Sequence, residues 1–427
     1  MRYLALLAIG GLVAGSFYLD DPIGPVPGPP PAIHHSLYAV CAVEEGGGRT
    51  TELTTLSTVQ GPVQLTLFHG GQTAGSIGVS IGASGSNVIP VVDVAAVGTV
   101  GGLVEIPTGD SAVASVMRGA TSLTAESCAS STSAQAYLTG GVSAEERSFV
   151  VHLMNPFAGE AVVDLTVTSE VGVESNDQFN AVIVPSRSST LVDVSQITPG
   201  RERLSVRIDT TAGRVIAVGR QSGDGDTATW NAVEAATDWL VPVPIADHPA
   251  RVLVGNPSST DIEYQIDAYG PSGLEEAVVS DSIQPGGQAV IDLSTLREGV
   301  TQAVRVISTA PVVATLWSEG PTILGVTNGS ALPAGRWLLA GSLHTGAESG
   351  RVVILNPGLE DAAIQIQPMR GGGAEKALQV PAESVIELVL ERADGFLVEA
   401  SVPVVVMLSS LGAGPGALTL GVPLADE

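Results

Sequence analysis

The sequence predicts an all-β protein: tandem immunoglobulin-like or fibronectin-like antiparallel β-sandwiches behind an N-terminal transmembrane anchor or signal. Three observations carry this. An Asn-Pro turn recurs at Asn155-Pro156, Asn256-Pro257 and Asn356-Pro357, 101 and 100 residues apart. Each turn is followed by strict alternation of apolar and polar residues, the pattern of a strand with one face buried and one wet. Finally, 51 glycines and 27 prolines sit in a chain that is 44% hydrophobic, which fits many short strands joined by turns rather than disorder.

The elements follow in chain order. Arg2 precedes an apolar run from Tyr3 to Leu19, closed by Asp20 and Asp21. That run is at the lower edge of what spans a bilayer and long for a signal core. A positive start and acidic exit orient it N-in. Ala14-Gly15-Ser16 offers a small-residue cleavage site, and Leu12 to Ser16 matches a lipoprotein box except that Ser16 replaces the lipidated cysteine. The reading is an uncleaved anchor over residues 1–20, the alternative a cleaved signal; both export the rest of the chain. Residues 21–37 form a spacer, with Pro29-Pro30-Pro31 favouring extended polyproline-like chain.

Four repeats follow, at 38–140, 141–240, 241–340 and 341–427. Apolar strands (Val150 to Met154, Val252 to Val254, Val352 to Leu355) lead into the Asn-Pro turns. Eight and ten residues beyond each Asn lie Val163 and Leu165, Tyr264 and Ile266, Ile364 and Ile366, with Asp164, Gln265 and Gln365 between them. The first repeat has no Asn-Pro; His69 takes the place, followed by Ile77, Val79 and Ile81. A later strand opens at Pro90, Pro185, Pro285 and Pro381. A last pair of strands follows, such as Val304 to Ile307 and Pro311 to Leu316. Trp239-Leu240 and Trp337-Leu338 recur, with Tyr137-Leu138 in the same place earlier; this strand closes one repeat or opens the next. Six or seven strands per repeat make a sandwich. The alternative architecture is a β-propeller with two blades per repeat, since blades run to about 40–50 residues.

Export makes the two cysteines readable. Cys41 and Cys128 bracket the first repeat in an oxidising compartment, which predicts a disulfide. Closing a loop of that length stabilises by roughly 4–5 kcal/mol.

Charge and composition exclude several functions. Lys and Arg number 18 against 44 Asp and Glu, a net charge of −26, which repels nucleic acid. Membrane contact is expected through residues 3–19 alone. Gly109-Asp110-Ser111 echoes a serine-protease nucleophile, but the glycines that should follow and a base in a matching context are missing. Histidines 34, 35, 69, 152, 248 and 344 show no ligand spacing. Asp224 and Asp226 could offer oxygen ligands to calcium, though the residues around them lack the full loop pattern; the sequence leaves this open. Trp239 and Trp337 sit at equivalent repeat positions, which points to core packing. Trp230 and Trp317 lack counterparts and could form an exposed sugar-stacking platform. The expected catalytic, cofactor and metal residues are none.

The Asn155-Pro156 turn, the Val184-Pro185 strand start and the final strand Pro311-Val312-Val313 resemble the repeats of an actinobacterial family of secreted or membrane-anchored proteins without an assigned activity. The resemblance implies an exported envelope protein. The expected function is a non-enzymatic scaffold or protein-interaction module whose partner is another envelope protein or a glycan. A carbohydrate-binding array and, less favoured, an envelope hydrolase are the alternatives.

Overall fold

The structure is a computed structural model. It describes residues 38–427 except 47, 95–97, 107–109, 224, 246–248, 297–301, 321–322, 342–349, 371–372, 392, 410–415 and 425–427. The anchor, the spacer, His34, His35, Gly109, Asp224, His248 and His344 lie outside the described residues. Among those described, no helix is long and apolar enough to cross a membrane. They belong to one compact unit, His34–Glu427.

The fold is all-β and antiparallel. The first sandwich has β1 (Tyr38–Glu44), β2 (Thr50–Ser57), β3 (Gly61–His69), β4 (Gln72–Ile81), β5 (Gly85–Pro90), β6 (Thr99–Glu105), β7 (Ser111–Arg118) and β8 (Leu123–Ser127). Its sheets run β1-β6-β3-β4 and β5-β2-β7-β8. The second has β9 (Gln135–Gly141), β10 (Ser148–Asn155), β11 (Ala161–Ser169), β12 (Gly172–Glu174), β13 (Val182–Val184), β14 (Ser188–Asp193), β15 (Leu204–Ala212), β16 (Ile216–Gly223) and β17 (Asp226–Asn231). Its sheets, β12-β11-β15-β9 and β14-β10-β16-β17, repeat the first topology.

The third sandwich comprises β18 (Ala236–Val243), β19 (Ala250–Gly255), β20 (Ile262–Gly270), β21 (Gly273–Ile283), β22 (Gln288–Asp292), β23 (Gln302–Gly320) and β24 (Ile323–Asn328). The fourth comprises β25 (Ala334–Ala340), β26 (Gly350–Asn356), β27 (Ala362–Pro368), β28 (Lys376–Val380), β29 (Ser384–Leu390), β30 (Gly395–Ser409), β31 (Leu418–Leu420) and β32 (Val422–Pro423). Here the expected last pair of strands is one long strand that changes sheets. The first half of β23 pairs with β18 and β20, its second half with β19 and β24. Pro311 sits near the crossover, where its missing N–H costs no ladder bond. Counting each half of β23 and β30, every sandwich has at least eight strands, more than the alternation alone suggested.

The alternation predicted for β11 holds: Ala161, Val163, Leu165 and Val167 are buried, and Val162, Asp164 and Thr166 are not. The Trp-Leu strand belongs by pairing to the sandwich that follows, for β18 is zipped to β23 (Trp239 opposite Val306) and β25 to β30 (Trp337 opposite Val398). Both indoles are core. Trp239 Nε1 donates to the carbonyls of Ala236 and Val312 (3.2 and 2.8 Å), and Trp337 Nε1 to those of Ala334 and Val404 (3.0 and 2.9 Å). Tyr137 pairs like Leu240 rather than Trp239: it stands opposite Arg207 and bridges Val233, as Leu240 stands opposite Arg305 and bridges Ser330. The sequence match to Tyr137-Leu138 is therefore one residue out of register.

Each Asn-Pro turn ties two strands together. Asn155 Oδ1 accepts from Phe157 N (3.0 Å), and its Nδ2 donates to Gly159 O (2.7 Å) and Val184 O (3.0 Å). Asn256 does the same with Ser258 N, Thr260 O and Ile283 O, each at 2.8 Å. Asn356 uses Gly358 N (3.0 Å), Glu360 O (2.8 Å) and Val380 O (3.1 Å). In the second and fourth sandwiches the Asn-Pro and Val-Pro motifs are thus two ends of one hydrogen-bonded turn, and in the third Ile283, two residues before Pro285, takes the Val position.

In the first repeat the corresponding residue is Ser57, not His69. Ser57 ends β2, is fully buried, and its Oγ accepts from Val59 N (3.2 Å) and donates to Val59 O (2.8 Å). His69 ends β3, one strand later, and Pro90 ends β5 instead of opening it. Serine substitutes because its hydroxyl makes the same local turn with a shorter reach. Period 2 repeats in every strand, so a slip by one whole strand leaves the pattern intact.

Cys41 on β1 and Cys128 just after β8 form a disulfide, Cα to Cα 4.7 Å. It closes a loop spanning 87 residues and joins the two sheets of the first sandwich.

The four sandwiches do not hang in a row. In each, the sheet that begins the unit lies on the second sheet of the next, and the fourth closes on the first. Val40, Phe68 and Leu103 meet Met154, Ile216 and Val218. Leu253 and Trp317 seat on Gly140. Leu240, Tyr269 and Ala303 join the apolar cluster of the fourth sandwich. Leu338, Met369 and Leu397 meet Leu56, Ala112 and Ala114 of the first. Ion pairs back these contacts: Arg220–Glu44 (2.9 Å), Arg147–Glu319 (2.6 Å) and, at the closure, Arg336–Asp110 (2.6 Å). The last strands meet in a closed circuit, β8 on β17, β17 on β24, β24 on β31 and β31 on β8.

Candidate functional site

Three of the four junctions are filled by apolar side chains from the preceding sandwich. The junction between the second and third is different. The outward face of the second sandwich there carries two rows of side chains, fixed by strand register: Thr166, Arg207 and Tyr137 in one, and Thr168, Ser205 and Thr139 in the other. Five of the six bear hydroxyls; Thr139 and Thr168 rest against Gly255 and Gly286 of the third sandwich, and open space remains beside them.

A cleft of about 300 Å³ results, with Gly255, the Asn256-Pro257-Ser258-Ser259 turn, Pro285, Gly286 and Val313 on the opposite wall. Past Thr168, Val173, Ser205 and Pro285 it widens into a mouth of about 630 Å³ that reaches Arg203, Glu170, Asp281 and Gln288. Exposed Val173 and Val290 border it. Elsewhere in the same junction Trp317 and Leu253 pack on Gly140, whose φ of +103° and missing side chain admit them.

The hydroxyl wall is held in place. Arg207 Nε donates to Asp209 Oδ2 (2.7 Å) and its Nη2 to Thr166 Oγ1 (3.2 Å). Gln135 Nε2 donates to Asp209 Oδ1 (2.6 Å), and Tyr137 OH donates to Gln135 Oε1. Burial pushes the Tyr137 phenol above its ordinary range, with Arg207 pulling it down and Asp209 up. Two groups lack partners among the described residues: Ser205 Oγ on one wall, and both amide atoms of Gln288 on the other. Leaving such groups unpaired costs about 1–3 kcal/mol each.

A second polar cluster lies where β8, β17 and β24 meet. Asp226 accepts from the backbone N–H of Leu123 (3.2 Å), Thr227 (2.7 Å) and Leu324 (2.8 Å), one from each of three sandwiches. Burial lifts its carboxyl to about 6, against these three donors. Both oxygens are used, which leaves it poorly placed as a calcium ligand, and no group of three or more metal-ligating side chains gathers among the described residues. Nearby, Asn231 Nδ2 donates to Glu126 Oε1 and Ser127 O (2.6 Å each), and burial pushes the Glu126 carboxyl well above the usual carboxylate range.

The other sequence candidates are engaged in packing. Ser111 Oγ donates to Ser57 Oγ (3.0 Å), and Asp110 pairs with Arg336, so the protease echo is a turn at the ring closure. His152 is buried between the first two sandwiches. The less favoured alternative, an exposed platform from Trp230 and Trp317, is ruled out: they are 0% and 4% exposed and meet edge-to-face at 6.5 Å, bridging the second and third cores. No repeat counterpart meant a junction residue, not a surface one. Asn256 and Pro257 border the cleft, but the sequence reading did not single out its hydroxyl wall. The available signal was Thr166-Val167-Thr168, whose outward positions carry hydroxyls where the other junction faces carry residues such as Leu240 or Leu397.

The profile of a family of unknown function (DUF5719) matches residues 91–322 and, overlapping, 236–419. No curated protein matches the chain. Among solved structures, a Thermotoga maritima protein is 16% identical, covering 22% of this chain and 94% of its own, with a TM-score of 0.20. A tetra-tandem repeat from the extending region of a large adhesion protein is 12% identical over 91% and 100%, TM-score 0.12. A Salmonella alpha-2-macroglobulin mutant is 14% identical over 93% and 30%, TM-score 0.13. Likeness at these scores carries no functional weight.

Proposed function

The chain belongs to the DUF5719 family of unknown function, and from that premise we propose that it is a non-enzymatic, exported cell-envelope protein, a scaffold or interaction module of the actinobacterial tandem-repeat kind. Its partner is another envelope protein or a glycan. It is anchored through residues 3–19, or secreted if that segment is cleaved. The observation that carries this reading is the fate of the reactive groups. Ser111, Asp110, Asp226 and His152 are each consumed in turns, junctions or cores, while the hydroxyl-lined cleft is shaped to bind. The Cys41–Cys128 disulfide supports export.

Fractionating cells that produce the tagged full chain tests it. The chain is expected in the envelope or medium with no free thiol; a cytosolic, reduced chain overturns export. Purified protein is expected to leave envelope glycans and peptides intact on prolonged incubation, and release of reducing ends or new termini overturns the non-enzymatic part. A second reading, carbohydrate binding, is favoured by the cleft.

A further inference from the structure

We propose that the cleft between the second and third sandwiches binds a neutral oligosaccharide chain. This deepens the envelope reading and rests on it for where a glycan would be met.

The chemistry of the walls selects the ligand. Thr139, Thr166, Thr168 and Ser205 carry hydroxyls able to donate and accept on one rigid sheet face, and Tyr137, whose proton goes to Gln135, can still accept. Ser205 Oγ and the Gln288 amide are buried without a partner among the described residues, and both residues line the mouth. A sugar hydroxyl serves either role to both groups. Pro257, Pro285, Val173 and Val313 supply apolar surface for the C–H faces of a pyranose.

Other ligands fit less well. Arg207 is spent on Asp209 and Arg203 stands against Glu170 and Asp281, so the cleft has no spare cation for an anionic ligand and favours an uncharged one. A peptide bound by strand addition needs an open sheet edge, yet the hydroxyl wall is the face of three strands, β9, β15 and β11, paired side by side.

The test is calorimetric titration of the compact unit from His34 onward with cellohexaose, maltohexaose and mannohexaose, and separately with an extended Gly-Ser peptide. At least one hexasaccharide is expected to bind saturably, with Kd of about 1 mM or tighter. Ser205→Ala and Gln288→Ala are each expected to weaken it roughly tenfold, the loss of one hydrogen bond to an otherwise buried group, while Thr295→Ala, at an exposed residue that lines neither the cleft nor its mouth, leaves it unchanged. No heat with any of the three sugars at about 10 mM, binding indifferent to both cleft variants, or binding of the peptide instead overturns the proposal. Binding in vitro does not depend on where the cell places the chain, so failure here and failure of the export reading are separate results.

Discussion

His152 shows how a single residue links packing to pH. It lies on β10 against the first sandwich, its Nε2 has no partner among the described residues, and burial, helped by Arg220, pulls its pKa down to about 3. The unfolded chain binds a proton near pH 6.5 that the folded chain refuses until about pH 3, so stability falls as pH drops through that window, by up to about 1.4 kcal/mol per unit. Asp226 acts with the opposite sign. Its folded pKa of about 6 exceeds the unfolded value, so it takes up its proton earlier in the folded chain, and stability from this group falls as pH rises from about 4 to 6. His152→Leu should therefore abolish most of the acid loss between pH 6.5 and 4, as read by urea denaturation at stepped pH. An unchanged acid slope would show that His152 is not the buried titrating group.

At the scale of the element, the turn at the end of the second strand is the repeating joint. Removing the side chain in Asn256→Ala strips its donor from the Ile283 carbonyl and its acceptor from the Ser258 amide and leaves the Thr260 carbonyl only Ser258 Oγ, a loss of about 2–4 kcal/mol. Asn155→Ala and Asn356→Ala should match it. Ser57→Ala, which breaks the local turn to Val59 and the bond from Ser111 Oγ, should cost about 1–2 kcal/mol, and His69→Ala, on an exposed strand end, less than about 0.5 kcal/mol. Equilibrium denaturation of the four variants would decide it; a His69 effect larger than the Ser57 effect would restore the register read from spacing. The strands, the Asn turns, the core tryptophans 239 and 337 and the disulfide were all legible, because each depends on local chemistry or short periodicity. The first repeat was not, since Ser57 makes the joint with a residue too common to serve as a marker. The cleft was illegible for a related reason. Its hydroxyls occupy outward positions that alternation marks only as wet, and only the packing of two sandwiches reveals which wet face meets another.

The closure is the property of the whole molecule that no single repeat contains. A head-to-tail contact either closes or continues, and here it closes after four units, with Leu338, Met369 and Leu397 of the fourth sandwich on Leu56, Ala112 and Ala114 of the first. Ser86 Oγ donates to Asp394 Oδ2 (2.7 Å) and Arg370 Nη1 to Ser86 O (3.3 Å) across the same seam. Leu338 is fully buried, yet it belongs to this seam and not to the core of its own sandwich, so Leu338→Asp should open the ring and leave the sandwiches folded. The lost burial is about 1.5–3 kcal/mol, and the new carboxylate must find water, which it can reach only if the seam parts. Small-angle scattering of the unit from His34 onward should give a radius of gyration near the roughly 21 Å of a compact chain of that length. The variant should give a clearly larger value with unchanged far-ultraviolet dichroism. An extended wild-type particle would refute the closure, and a compact variant would show that the central circuit of β8, β17, β24 and β31 holds the four units together without the seam.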